Sequence, residues 1–238
     1  TYRLLYKVMQ AAIACMLYIK PLSPFFLPAM DRTPHRRQRI SQTERVENTQ
    51  RKLIDAALQL LHEEGFKGAT LQAIARKAQV SLGALQHHFK TRDALMERLV
   101  QEIMEPLSAQ GSIWPDRALP LPERAHDFVQ RAWKNVFCTP HYQAAWSLFL
   151  GCKPSSALFA HINAQRVQVD HGFYAQFLQT FPEITDHHPH PQGVAITVFA
   201  AFRGAGVLEL FDVTTTEREA FLGTLADTIA QAGQIAST

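Results

Sequence analysis

Hydrophobic residues along this chain recur three or four positions apart, the spacing of one face of an α-helix, and no stretch alternates with period two. Leu53, Ile54, Ala57, Leu58 and Leu61 make one stripe, and Gly65 stands where a helix closes in the left-handed conformation. Leu71, Ile74, Ala75 and Ala78 make a second over a short helix. Leu85 and Phe89 carry a third, with Val80 apolar where the angle between the two must be plugged. Ala94, Leu95, Leu99, Ile103 and Met104 give a fourth, ending near Pro106. Beyond a Pro-containing link at 114–122, the pattern predicts helices over 123–137, 139–151, 155–180, 192–211 and 216–232, with a polar loop at 185–191.

Hydroxyl residues punctuate these stripes. Thr70, Ser81 and Thr91 each precede a helical pattern, where a side-chain oxygen caps free backbone N–H groups. Ser41–Glu44 and Thr216–Glu219 have capping-box spacing, and Thr139-Pro140 pairs a cap with proline in the first turn. The fold class read from this is all-α: an N-terminal helix-turn-helix domain of three helices, then a larger helical domain. The expected division is residues 41–105 and 106–238, behind an N-terminal extension and basic arm over 1–40.

That extension looks foreign to the rest. Its longest apolar run, Ala11–Ile19, is nine residues, against the roughly 20 a spanning helix needs. Arg3 and Lys7 imitate a secretory signal without a convincing cleavage site. Met30 is the expected natural start, and no membrane partner is expected.

Charge divides the chain where the stripes do. Residues 31–98 hold 13 Lys+Arg against 8 Asp+Glu, whereas residues 99–238 hold 8 against 13. A basic third beside an acidic remainder implies a polyanion-binding module attached to something else. Sixteen of the 23 aromatic residues follow residue 98. Three cysteines (Cys15, Cys138, Cys152) have no metal or redox spacing, which fits a reducing cytoplasm and no metal or cofactor.

The helix-turn-helix at 70–89 supplies the chemistry of DNA reading. Leu82, Gly83, Ala84, Gln86, His87 and His88 occupy the expected outer face of its second helix. Gly83 and Ala84 permit close backbone approach to a groove, and Ala84 suits a thymine methyl. Gln86 can pair with adenine or hold a phosphate, and His87 or His88 can donate to one. Thr70 and Ser81 can donate while capping, and Arg92 stands at the start of the next helix, where cation and free N–H groups coincide.

The span from about Thr43 to Val100 resembles the DNA-binding domain of the TetR/AcrR transcriptional regulators. The match runs through Leu53-Ile54-Asp55-Ala56-Ala57, Glu64-Gly65-Phe66, Ala69-Thr70-Leu71, Ile74-Ala75, Val80-Ser81-Leu82-Gly83-Ala84-Leu85, His87-His88-Phe89 and Arg92-Asp93-Ala94-Leu95. Three positions depart from the family's pattern. Gln79 replaces the turn glycine, Gln86 replaces the tyrosine of the reading helix, and Arg92 replaces a lysine.

The resemblance implies a homodimer joined through the last two helices, with Val207, Leu208, Leu210, Phe221, Leu222, Leu225 and Ile229 as seam and Gly204 and Gly206 permitting close approach. It also implies an unidentified small-molecule effector inside the second domain. Trp133, Phe137, Trp146, Phe149, Phe177, Phe199 and Arg203 are the effector-site candidates, with Arg203 facing an anion, Asp170 or Glu209. The expected function is a ligand-responsive repressor that releases a pseudo-palindromic operator, and not an enzyme. The alternative is a small metal-dependent hydrolase built on His187-His188-Pro189-His190, which lacks the spacing of helical zinc motifs.

Overall fold

A computed structural model describes residues 41–234, Ala109 apart; the extension, the arm before Ser41 and the start at Met30 lie outside the described residues. The described residues are mostly helical, without a strand. Helix α1 (Gln42–Glu63) opens on the Ser41 box: the Ser41 hydroxyl accepts from the Glu44 N–H at 3.1 Å, and the Glu44 carboxylate accepts from the Ser41 N–H at 2.7 Å. Its stripe, Leu53 to Leu61, is buried. Gly65 then turns the chain at φ +71°, a left-handed backbone that glycine adopts without a Cβ clash.

A single turn, α2 (Gly65–Gly68), leads into α3 (Leu71–Lys77) and α4 (Leu82–His88). Thr70 accepts from the Ala73 N–H at 3.2 Å, and Ser81 from the Ala84 N–H at 3.1 Å. Between the helices, Val80 donates its N–H to the Ala75 carbonyl at 3.0 Å, and buried Ala75 lets the pair cross closely. The turn forces Gln79 to φ +58°. A left-handed backbone there costs a residue with a Cβ about 1 kcal/mol.

Thr91 caps α5 (Arg92–Met104), accepting from the Ala94 N–H at 3.1 Å. Ala94, expected in its stripe, is exposed; Met96 and Val100 are buried instead. With the cap fixed at Thr91, the 100° step turns 95, 96, 99, 100 and 103 inward together.

The body comprises α6 (Leu121–Ala132), running into a π turn (Trp133–Phe137), then α7 (Pro140–Cys152), α8 (Ser156–Thr180), α9 (Pro182–His187), α10 (Pro191–Leu208) and α11 (Thr215–Ala232). Phe128, Phe137, Phe173, Phe177, Phe181, Phe199 and Phe202 form its fully buried centre. Phe173 stacks on Phe199 at 4.0 Å, and Phe137 on Phe202 at 4.7 Å. The stretch expected as a loop over 185–191 is partly helical, because Pro182 starts α9.

The last capping box sits two residues earlier than expected. Thr214, not Thr216, is the cap, and Glu217 answers it. Both readings have the same spacing. The register is set by Arg218, which reaches back to Glu209 with two hydrogen bonds of 2.9 and 2.6 Å.

Two further corrections concern the outer helices. Leu222, Leu225 and Ile229 are buried within this chain, since α11 packs along α6. Gly206 is filled from its own side, where a Cβ would meet the Phe137 carbonyl oxygen at 2.7 Å. The outward face of α10 is different. Ile196, Ala200, Gly204 and Leu208 are exposed along it, followed by Leu210 and by Phe211 at 73% exposure. The most apolar 18-residue window within Pro191–Phe211 has mean hydropathy 1.7, yet only 28% of that window is buried.

Gln79→Gly is expected to raise the free energy of unfolding by up to about 1 kcal/mol. A later urea midpoint at unchanged slope is the readout; an earlier midpoint contradicts the assignment of strain.

Candidate nucleic-acid interface and effector cavity

The outer face of α4 is free of intramolecular duties at several positions. Gly83, Gln86 and His87 are exposed, while Leu82, Ala84 and His88 are half-buried. Nothing lies within 4 Å of where a Gly83 Cβ would stand, so its lack of a side chain serves no packing in this chain. The hydroxyls of Thr70 and Ser81 accept capping bonds, and both residues are exposed, leaving each O–H free to donate outward. Lys90, two residues past α4, and Arg76 on α3 are exposed cations that the sequence reading did not single out. Their clue was only charge next to the helix-turn-helix.

Arg92 stands apart from this group. Its guanidinium lies over the Phe66 ring, 4.0 Å from the centroid, and donates to the carbonyls of Ala69 (2.9 Å) and Phe66. Burial pushes its pKa down from the ordinary arginine value, with Asp93 opposing. The cation ties the start of α5 to the α2 turn through Nε and Nη2, while the residue stays half-buried.

The body holds a cavity of about 340 Å³ among α5, α7, α8 and α10. Trp146, Phe149, Phe199 and Arg203, expected at the effector site, line it. Sequence reasoning missed the other eight lining residues, among them Met104, Leu107, Tyr142, Lys153 and Arg166. The apolar ones sit on faces whose periodicity says only "inside", without separating wall from core. Phe137 and Phe177 belong to the closed aromatic centre instead. Trp133 lines a separate, more open hollow of about 570 Å³ beside Gly204, Leu208, Phe211 and Phe221. The Tyr142 hydroxyl is pushed up to about 12 by burial, which leaves it a neutral hydrogen-bonding group at any physiological pH.

One end of the cavity is cationic. Arg203 pairs with Asp170, as one of its expected partners, and Arg166 pairs with the same carboxylate. Asp170 is only 6% exposed, and the Arg203 guanidinium lies 3.9 Å above the Phe199 ring.

The cavity wall also touches the helix-turn-helix support. Helix α7 carries Trp146, Phe149 and Gly151, and it packs along α1 and α2. A Cβ on Gly151 would fall inside the Phe66 side chain, so glycine is required for that seat. A continuous contact thus runs from the cavity through Gly151 and Phe66 to Arg92. By contrast, the histidines at 187–190 are engaged locally. His187 Nδ1 lies 2.9 Å from the Gly233 carbonyl, and His188 Nδ1 accepts from the His190 N–H at 3.0 Å. Among the described residues, no three His, Cys, Asp or Glu side chains converge as metal ligands, and the hydrolase alternative has no support.

Residues 53–99 match the family model described as "Bacterial regulatory proteins, tetR family". The chain is 42% identical over 57 residues to the HTH-type transcriptional regulator BetI of Klebsiella pneumoniae, a match spanning 24% of this chain and 29% of that protein. A BetI of Burkholderia thailandensis is 25% identical over 134 residues, covering 55% of this chain and 68% of the relative. A solved structure, the putative transcriptional regulator from Pseudomonas aeruginosa PAO1, superposes with TM-score 0.62 at 21% identity, over 83% of this chain and 95% of that one. The higher identity extends over only 57 residues, less than a third of that relative's length, and the likeness to the solved structure is one of fold.

Gly151→Ala is expected to destabilise the chain by about 1–3 kcal/mol through overpacking against Phe66. Phe66→Ala in the same background should restore part of that loss. Simple additivity of the two changes in thermal unfolding would contradict the contact.

Proposed function

We propose that this chain, a transcriptional regulator of the TetR family, works as a homodimeric repressor whose grip on a pseudo-palindromic operator is weakened by a small molecule held in the body. The observation that carries the reading is the contact from the cavity wall through Gly151 and Phe66 to the Arg92 tie at the helix-turn-helix. Residues 41–105 serve as the DNA-binding head and residues 106–238 as the effector-binding and dimerisation body.

Each dimer would set one α4 in the major groove of each half-site. Gly83 and Ala84 approach base edges, Gln86 and His87 reach bases or phosphate, and Thr70, Ser81 and Lys90 hold the backbone. Arg92 acts from behind, by fixing the α2 turn that leads into Thr70. A ligand that moved α7 would shift Phe66 and, with it, the spacing of the two heads. Such a shift requires the ligand to favour one arrangement over the other.

The second copy is assigned to the outer face of α10. Ile196, Gly204, Leu208 and Phe211 leave an apolar stripe uncovered in the single chain, and helical stripes of that width need a partner. Gly204, with nothing within 4 Å of its missing Cβ, lets another helix approach closely. α11 contributes its outer side, Thr224 and Thr228, rather than its buried leucines.

Gel-shift titration against the operator is expected to separate three roles. Gln86→Ala weakens binding without moving the melting temperature. Lys90→Ala lowers the slope of log affinity against log salt by about 1, whereas Arg92→Met leaves that slope unchanged and lowers stability. Trp146→Ala keeps operator affinity and alters only the response to ligand. Unchanged affinity in both Gln86→Ala and Lys90→Ala would refute the placement of α4. Leu208→Glu is expected to yield monomers in sedimentation, and an intact dimer would remove α10 from the interface.

A further inference from the structure

The cationic end of the cavity defines the chemistry of what it binds. We infer that the effector is an amphiphilic carboxylate, a monoanion with an aromatic or short acyl body, held by Arg166 and Arg203. This inference rests on the ligand-responsive reading above and specifies its ligand.

Charge balance comes first. Two guanidiniums share the single carboxylate of Asp170, so the group carries one unmatched positive charge. Both arginines and Lys153 line the cavity, and no Asp or Glu does. Asp170 is buried while the two arginines stay partly exposed, so a bound anion would offset the unmatched charge that faces the largely apolar cavity. A cationic ligand would increase it.

Donor geometry comes next. Arg166 uses Nε for the Asn163 side chain at 3.1 Å and Nη1 for Asp170. Arg203 uses Nη1 and Nη2 for Asp170. Among the described residues, Arg166 Nη2 and Arg203 Nε make no hydrogen bond within the chain, and their N–H groups remain for a ligand. Planar guanidinium forks match the two oxygens of a carboxylate. The Phe199 ring beneath Arg203 and the Asp170 carboxylate between the two arginines hold both cations in place before a ligand arrives. Such preorganisation lowers the cost of binding.

The remaining walls set the body of the ligand. Leu107, Tyr142, Trp146 and Phe149 offer apolar and aromatic surface. A volume of about 340 Å³ admits on the order of ten non-hydrogen atoms, taking roughly 30 Å³ for each as for a water molecule. A phenyl ring on a short chain, or a medium-length acyl chain, has that size.

The test uses the full chain and two acid–amide pairs, 4-phenylbutyrate with 4-phenylbutyramide and octanoate with octanamide. Binding is read by calorimetry and by quenching of tryptophan fluorescence, to which Trp146 contributes. Each acid is expected to bind about tenfold or more tightly than its amide, the discrimination of a charge-assisted over a neutral hydrogen bond. Arg203→Met should bring each pair within about threefold while amide binding persists. Arg166→Gln serves as the second variant if Arg203→Met does not fold, and should narrow the ratio likewise. Acids binding no tighter than their amides at millimolar ligand, absence of binding included, overturns the proposal. So does tighter binding of phenyl phosphate, or a ratio unchanged in both variants. Operator release is measured separately. Acids that bind preferentially yet leave DNA bound uphold the ligand class and defeat the regulatory reading. Release of DNA by a neutral or cationic occupant of the cavity does the reverse.

Discussion

Phe66 seats directly on Gly151, which joins the support of the helix-turn-helix to the wall of the cavity. Phe66 lies on the one-turn helix that aims the chain into the helix-turn-helix, and Gly151 lies on the helix that walls the cavity. Because packed interiors respond in discrete steps rather than by smooth deformation, a shift of that wall must be taken up at the seat. Arg92 extends the contact, with its guanidinium over the Phe66 ring and its donors on the Phe66 and Ala69 carbonyls. The residue following Ala69 is Thr70, the cap of α3. A few contacts therefore separate the cavity from the element that orients α4.

The two halves of the chain meet different physical demands. The helix-turn-helix tolerates a strained Gln79 because its core and three hydroxyl caps over-determine the backbone. The body gains its rigidity from seven fully buried phenylalanines, which contain no polar atoms and so require no hydrogen-bond partner. Against that apolar centre the Arg166–Asp170–Arg203 group is conspicuous. A buried carboxylate shared by two cations gives little net stability, and both cations face the cavity.

Much of the head was legible in sequence because its determinants are local. A cap, a stripe and a turn residue lie within a few positions of one another, so Ser41, Thr70, Ser81, Thr91 and Gly65 could each be assigned a structural role from their neighbours. The outer positions of α4 follow once its inner ones are known. The inward bonds of Arg92 were not legible, for the opposite reason. Its charge and its place at a helix start both suggest phosphate, and only the folded chain brings the Phe66 ring, 26 residues earlier, beneath it.

The sequence by itself determined an all-α chain with a helix-turn-helix near its beginning and a basic–acidic division, because helical period, capping and composition are properties of adjacent residues. Tertiary structure alone decided which aromatics wall a cavity and which close the core. Trp146 and Phe149 face space while Phe137 and Phe177 do not, although all four carry the same helical spacing. It also decided which apolar faces are used up within one chain, Leu222 and Ile229 against α6, and which remain open, Leu208 and Phe211. Periodicity tells how a helix is sided. What lies opposite that side is set by residues far away in the chain.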